Sequence, residues 1–554
     1  MRYYEVVLDG VLHDSGLPGR GVPLRKSQPR FRLDLFIATV EALLKARKLR
    51  CILIHCKPSF RTQAYAGYQI IGSQLQRLAK SGKELWFYAE QYGIGELYLA
   101  SLCSHRVIHP LGFVQALGLA RPFLFFKKAL QDRRLQVEVF RRGRYKGALD
   151  SLRNDRLDQF QREQYHAVLE GSMHALQDRI LEGYACSREA MEVLTSGSIL
   201  SAHEAVGQNW VTTRMSHPEL IGDWRDNKHR PASLKVRDIG FGKGAGVAVL
   251  FLEGTLVTGR SRTSPVFGQS VGSDTACEQI TRLERNRRVK AVIVRINSGG
   301  GSATASASIH DALARLRRKK PVVVSMGEIA ASGGYWVATQ AERLFVEPST
   351  ITGSIGVLMA IFNMREFLKS HGITEDIVKT HEHADLGSPL RKLTGIERQK
   401  LDEIVSKLYY AFLRRVAEFR NRSITDIDKL AEGRVWTGQD AVRLGLADEL
   451  GGLSDAIEYV RRMHTGPCRV RYFPREKRSL LERLITRNLA PASLATAALP
   501  PASRYFFDEL ALLHGHPLAL WEPLMEQWLG AIATELHSLA PHQCIPEAQR
   551  FCSE

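Results

Sequence analysis

The sequence predicts an α/β fold made of two similar domains in tandem, followed by a C-terminal tail. Three observations lead there. Short apolar, β-branched runs alternate with amphipathic stretches, the pattern of parallel strands joined by right-handed helical crossovers. The same series recurs in the second half, with a constant offset of 238 residues from the Ile94/Ser332 pair to the Pro110/Pro348 pair. A chain of 554 residues, 44% hydrophobic and 24% charged, also suffices for two or more globular domains with real cores.

In order, residues 3–12 read as a strand and 13–30, polar and rich in Pro and Gly, as a loop. Residues 31–49 have the spacing of an amphipathic helix, 51–56 form a buried strand and 63–81 a second helix. A strand over 85–90, a helix over 94–103 and a short strand over 106–109 complete the first series. In the second half, 247–256 repeats the first strand, with Leu252-Glu253-Gly254 against Leu8-Asp9-Gly10. Residues 291–296 repeat 51–56, 331–339 repeat 93–101, and 344–348 repeat 106–110. Gly433, Ala441 and Leu446 fall where Gly197, Ala205 and Trp210 fall. The expected division is a first domain over 1–212, a polar linker over 213–240 containing Pro218 and Pro231, a second domain over 241–465 and an extension over 466–554. Within the extension, 480–489 has the pattern of a basic amphipathic helix suited to a membrane surface or a neighbouring subunit.

The formal charge is +19, from 77 Lys and Arg against 58 Asp and Glu. The basic residues are scattered and no compact nucleic-acid motif accompanies them. A solvated basic surface, or attraction to anionic lipid, is expected rather than nucleic-acid binding. The eight cysteines form no C-x-x-C pair, which points to free thiols and no metal site, although Cys544 and Cys552 could pair with each other. The opening MRYYEVVLDGVL is a strand pattern rather than a leader, and no window reaches eighteen apolar residues. The expected location is therefore cytoplasmic or peripheral to a membrane.

The chemistry gathers in 321–356. Residues 322–325 read as a buried strand, 328–331 as a turn and 335–341 as a helix, so Ser332 stands at a strand-to-helix corner. A helix N-terminus favours negative charge, and a hydroxyl raised there suits an acyl-transfer nucleophile. Serine is also a common helix cap, and the corner alone does not separate the two roles. The repeat bears on the choice. Where the second half has Ser332 the first has Ile94, and at the offset of 238 Lys146 of the first half faces Ala384 of the second. One half thus holds a candidate nucleophile without the lysine, and the other the lysine without the nucleophile.

Asn297-Ser298-Gly299-Gly300-Gly301-Ser302, Ala331-Ser332-Gly333-Gly334-Tyr335-Trp336 and Pro348-Ser349-Thr350-Ile351-Thr352-Gly353-Ser354-Ile355-Gly356 resemble motifs of the signal peptide peptidase A (SppA, protease IV) family. So do Arg144-Tyr145-Lys146 and Gly433-Arg434-Val435-Trp436-Thr437-Gly438. The likeness is to the long, two-domain form and covers residues 3–465. It implies two ClpP/crotonase-like domains, each a spiral of β-β-α units. It also implies a serine peptidase whose Ser–Lys pair is split between the domains, with Ser332 as nucleophile, Lys146 as general base and Ser354 as a supporting polar group that holds the amine. The resemblance further implies a ring-shaped homo-oligomer, tetrameric for the long form, and cleaved signal peptides or other short hydrophobic peptides as substrates. No cofactor is implied. The family's usual Ser-Pro-Gly-Gly reads with Gly299 in the proline position, and the membrane anchor that opens many long-form members is not evident.

A lysine that acts as a base must be neutral, so Lys146 is expected in a closed apolar interface, with Arg141, Arg142 and Arg144 adding repulsion if close. The oxyanion needs two N–H donors. Gly333 offers one, and the run Gly299–Gly301 the other, through Gly301 first and Gly300 next; a plain tight turn is the alternative for that run. In the first half the run has become Ser59-Phe60-Arg61, and Glu96 in that relic corner reads as structural. His381 and His383 flank Ala384, where a Ser–His pair or a metal ligand is the competing reading. Two other functions stay in view. An inactive peptide-binding scaffold would not need Ser332, and an acyl-CoA enzyme of crotonase type would not need Lys146.

Overall fold

The computed structural model describes residues 2–15, 29–234, 246–264, 268–464 and 469–473. Cys468, Cys544, Cys552 and the basic stretch 480–489 lie outside the described residues.

Two sheets carry the molecule. The first has six parallel strands in the order Thr213–Arg214, His105–Ile108, Glu84–Ala89, Cys51–Cys56, Arg2–Leu8 and Arg230–Pro231. The second runs Val435–Thr437, Ile351–Gly353, Val322–Ala331, Val289–Ser298, Gly246–Glu253 and Arg469–Phe473, with only Val435–Thr437 antiparallel to its neighbour. Arg343–Val346 also pairs with Val322–Ala331, and Glu449–Leu450 with Arg343–Val346. Along the path Glu449–Leu450, Arg343–Val346, Val322–Ala331, Val289–Ser298, Gly246–Glu253 and Arg469–Phe473 the second sheet follows the order of the first, the duplication expected from the repeat, while Ile351–Gly353 and Val435–Thr437 form a branch without a counterpart there.

Successive side chains of a strand point to opposite faces. In the second sheet both sets are apolar, as buried parallel strands require. Val247, Val249 and Phe251 join one core, while Ala248, Leu250 and Leu252 join another. The first of these cores is shared. It runs from Val6, Leu8, Ile52 and Ile54 of the first sheet, through the helices Leu33–Lys45 and Ala66–Lys80, to the near face of the second sheet. Polar ties cross the same interface. The fully buried Arg295 donates to Asp14 at 3.1 Å, and the Ser349 N–H donates to Gln69 at 2.8 Å. The domains are therefore fixed to each other, which matters for any site built from both.

An antiparallel ribbon joins the domains a second time. Gln136–Arg142 of the first half pairs with Val357–Asn363 of the second, from Arg142 opposite Val357 to Gln136 opposite Asn363. One end of this ribbon delivers both the loop carrying Lys146 and the turn carrying Ser354.

Two expectations are corrected. Residues 328–331 are not a turn: the strand runs unbroken over Val322–Ala331. Its first part pairs with Arg343–Val346 and its last part with Ile351–Gly353, and a register shift between Ile296 and Ser298 accommodates the change. The polar Glu328 that suggested a turn is buried, its carboxylate accepting the Ala64 N–H at 2.8 Å. The expected linker is also largely structured. Within 213–240, Thr213–Arg214, the helix His217–Asp226 and Arg230–Pro231 all belong to the first domain, and Leu220 and Trp224 cover the outer face of its sheet with Tyr3, Leu53 and Tyr88. Ser216, Pro218 and Glu219 form a helix-start signature there.

Cys51, Cys56, Cys103, Cys186 and Cys277 are free thiols. Among the described residues no helix is long and apolar enough to cross a membrane.

Candidate active site at the junction of the two domains

Ser332 follows the last residue of Val322–Ala331 and precedes the helix Gly333–Ala338. Its backbone is at φ 53° and ψ −120°, a region that non-glycine residues rarely enter, and its hydroxyl makes no capping bond. The corner is pinned from both sides: the Ser332 N–H donates to the Gly353 carbonyl at 2.9 Å, and its carbonyl accepts from Trp336 N–H at 2.9 Å. The hydroxyl is thus held in a strained pose for something other than capping.

It faces an amine. Lys146 Nζ lies 2.9 Å from Ser332 Oγ, and 2.8 Å from both the Ser354 carbonyl oxygen and Ser354 Oγ. Lys146 is buried, and burial alone lowers its pKa to about 7. The expected help from neighbouring arginines is absent, because each is drawn to an acid. Arg141 donates to Asp150 at 2.8 Å, Arg142 to Asp402 at 2.9 Å, and Arg144 to Glu432. Ser354 is itself at φ 51°, fixed by its N–H to the Arg434 carbonyl at 2.7 Å.

The glycines divide the work by geometry. At Gly300, φ 102°, an added Cβ would come within 2.6 Å of the Gly333 nitrogen. The Gly300 N–H is taken by Ser298 Oγ at 3.1 Å. Gly301, φ 146°, lies against Leu256 in a parallel bridge formed by the Leu256 N–H with the Gly300 carbonyl and the Ser302 N–H with the Leu256 carbonyl, each at 2.8 Å. That bridge leaves the Gly301 N–H out of the pairing. The loop lies against the serine corner: an added Cβ at Gly300 would come within 2.9 Å of Ser332 Cβ, and one at Gly333 within 3.4 Å of the Gly301 nitrogen.

Several residues of the site were not foreseen. Gly433 packs its Cα on Lys146, where an added Cβ would approach Lys146 Cβ to 2.5 Å. Gln161 and Gln164, buried on the helix Gln159–Tyr184, both donate from Nε2 to the Tyr145 carbonyl, at 3.0 and 2.9 Å. Gln164 Oε1 accepts the Val435 N–H at 3.1 Å. Gly433 stood out as a repeat position and as the start of a family-like motif, but not as a neighbour of Lys146, and glutamines on a helix carry no signal that separates them from solvent-facing ones.

The competing histidines are engaged elsewhere. His383 bonds Glu397 at 3.0 Å and His381 bonds the Thr380 hydroxyl at 3.1 Å. Ala384, the offset partner of Lys146, lies in a turn that closes back on the His381 carbonyl. Among the described residues one group has metal-ligand chemistry, Glu5 with His55 and His217. Both imidazoles bond the same Glu5 oxygen, at 2.8 and 2.9 Å, and their rings are stacked 4.1 Å apart. The three side chains are thus joined by hydrogen bonds through one carboxylate oxygen, far in sequence from Ser332 and Lys146.

Comparison with known proteins places the chain in a family. The model of peptidase family S49 matches residues 77–228 and again 314–465, and the Clp protease model matches 265–352. Protease 4 of Salmonella typhi is 30% identical over 470 residues, covering 80% of this chain and 74% of that protein. Protease 4 of Haemophilus influenzae is 32% identical over 419 residues, covering 71% and 67%. A putative signal peptide peptidase SppA of Enterococcus faecium is 31% identical over 185 residues, covering 33% and 54%. Two S49 matches in tandem, together with relatives aligned over most of both chains, mean that this chain belongs to peptidase family S49, the serine peptidases of the SppA/protease 4 type.

Proposed function

We propose that the protein is a serine endopeptidase that hydrolyses short hydrophobic peptides, cleaved signal peptides among them, through a dyad of Ser332 and Lys146. The observation that carries this reading is the 2.9 Å approach of a buried amine to the strained serine hydroxyl. A neutral amine has two N–H donors and one lone pair. The Ser354 carbonyl and hydroxyl oxygens take the two donors, which leaves the lone pair for the Ser332 proton.

The reaction then runs in two balanced halves. Ser332 Oγ attacks the scissile carbonyl carbon while its proton passes to Lys146 Nζ. The resulting oxyanion is met by the Gly333 and Gly301 N–H groups, where loss of one such donor costs roughly 100–1000-fold in rate. Lys146 returns the proton to the leaving amine as the C–N bond breaks, giving an acyl-enzyme. Water attacks the ester carbonyl, gives its proton to the same amine, and Ser332 leaves with that proton restored.

The substrate class rests on the family resemblance and on one relative, of Enterococcus faecium, named as a putative signal peptide peptidase. Assembly as a homo-oligomer, a tetramer, and peripheral membrane contact belong to the same proposal. One face of the second sheet is covered by first-domain helices, whereas the outer face of the first sheet is covered by the short helix His217–Asp226. The charge of +19 favours anionic lipid. Light scattering and vesicle co-sedimentation test these two points.

A serine-directed fluorophosphonate tests the chemistry. It labels the parent protein at Ser332, and labelling and peptide hydrolysis are lost in Ser332→Ala and in Lys146→Ala. Full labelling of Lys146→Ala removes lysine from the mechanism.

A further inference from the structure

The Ser332–Lys146 approach depends on how the lysine is held, and the hold is made by a closed circuit of hydrogen bonds across both domains. Lys146 Nζ donates to Ser354 of the second domain at 2.8 Å. The Ser354 N–H donates to the Arg434 carbonyl at 2.7 Å. The next residue, Val435, donates its N–H to Gln164 Oε1 at 3.1 Å. Gln164 Nε2 closes the loop by donating to the carbonyl of Tyr145, the residue before Lys146, at 2.9 Å.

We infer that Gln164 is the positioning residue that sets the Lys146 amine against Ser332, its amide acting as a two-ended clamp between the domains. The inference rests on the dyad reading above. Gln164 is 2% exposed, so both ends of its amide have to be satisfied within the protein. The amide supplies a donor to Tyr145 and an acceptor to Val435 from one terminus. Gln161 supports it, accepting a second N–H of Gln164 at 2.6 Å and adding its own donor to the Tyr145 carbonyl at 3.0 Å. Gly147, on the other side of Lys146, packs so closely on the Gln161 amide that an added Cβ would meet its nitrogen at 2.1 Å. The lysine loop is thus gripped on both sides of residue 146, and one of the two grips reaches the strand that orients Ser354.

The clamp does not touch substrate, so its loss should show in the geometry and charge of the amine rather than in binding. Gln164→Leu keeps the volume and removes both bonds. Gln164→Glu keeps the acceptor, loses the donor and places a buried carboxyl near the lysine. With the full chain and a fluorogenic peptide, Gln164→Leu should lower kcat by about 10–100-fold with little change in KM, as a displaced reacting group does. Gln164→Glu should move the acidic limb of kcat/KM upward by about 0.5–1 pH unit, because a nearby carboxylate favours the ammonium form. A part that was only structural would lower the melting temperature and leave the limb in place. Unchanged kcat in Gln164→Leu, or an unmoved limb in Gln164→Glu, overturns the inference while Lys146→Ala still abolishes labelling. Full labelling of Lys146→Ala would instead remove the dyad, and the clamp with it. Should Gln164→Glu not fold, the kcat and KM of Gln164→Leu decide.

Discussion

The two domains turn the same corner and finish it differently. In the first, the helix Ile94–Ala100 begins at Gly93, whose N–H donates to the Glu96 carboxylate at 3.0 Å. Its positive N-terminus is closed by its own acid. In the second, the helix Gly333–Ala338 begins at Ser332 with no side-chain cap and a backbone at φ 53°. The first copy has relaxed into an ordinary helix start, while the second keeps its strain and an open N-terminus. The first copy serves as a support: its lysine loop meets the other copy's serine, its glutamine helix holds that loop, and its ribbon strand pairs with the strand that follows Ser354. The first half is thus part of the same site, because the amine that lies 2.9 Å from Ser332 Oγ comes from it.

The largest test of this division uses a pair of glycines. Gly433 and its repeat partner Gly197 both have positive φ, 76° and 127°. An added Cβ at Gly433 would collide with Lys146 Cβ at 2.5 Å, whereas at Gly197 it meets nothing within 4 Å. Gly433→Ala should therefore displace the lysine and cut kcat/KM by about 100-fold. Gly197→Ala carries backbone strain alone and should leave kcat/KM unchanged within measurement. Equal losses in the two variants would mean that the glycine supports folding rather than the amine.

A second test isolates what the first domain contributes, because the serine does not titrate in the working range and the lysine does. Burial holds the Lys146 amine at about 7. The neutral form is the base, so kcat/KM should rise about tenfold per pH unit up to about pH 7 and then level off. The sign for stability follows from the same shift. A lysine lowered below its ordinary value contributes stability that is present above that value and lost as pH falls through about 7. A pH profile that is flat from pH 6 to pH 8 (measured on the labelling rate as well as on turnover) would sink Lys146 as the base.

Much of this was legible in the sequence, and the failures share a cause. The stretches 51–56 and 291–296 each carry a single charged or titratable polar residue, His55 and Arg295, in an otherwise apolar run, so their burial between two layers could be read directly. The offset of 238 residues exposed the duplication, and the loss of Ser332 at Ile94 singled out the working corner. What stayed hidden is long-range pairing by polar groups. Glu328 looked like a turn residue because an acid seldom sits inside a parallel sheet, and its partner Ala64 is 264 residues away. Gln164 looked like surface, since nothing local tells a helical amide that it will span two domains. The arginines beside Lys146 looked like a repulsive cluster until Asp150, Asp402 and Glu432 arrived to neutralise them. Only the helix after Ser216 carried a readable local signature, its Ser-x-x-Glu cap, that was passed over in favour of a linker.

The smallest expected effect separates the two copies by stability rather than rate. Glu328 lies on the strand that leads to the second corner, and its repeat partner Glu90 directly follows the strand Glu84–Ala89 that leads to the first. Glu90 is exposed, whereas Glu328 is buried, and burial, opposed in part by the Ala64 N–H, pushes its carboxyl up to about 8. An acid raised above its ordinary 4.5 contributes stability that is present below that value and lost as pH rises through about 8. Glu328→Gln removes the ionisation and keeps the carbonyl that accepts from Ala64. It should raise the melting temperature at pH 8.5 and change it little at pH 5, with about 2–4 °C for each kcal/mol released. Glu90→Gln should do neither. An equal response of the two variants across pH would show that the second corner is no more desolvated than the first. Burial would then have to be withdrawn as the cause of the raised Glu328 carboxyl.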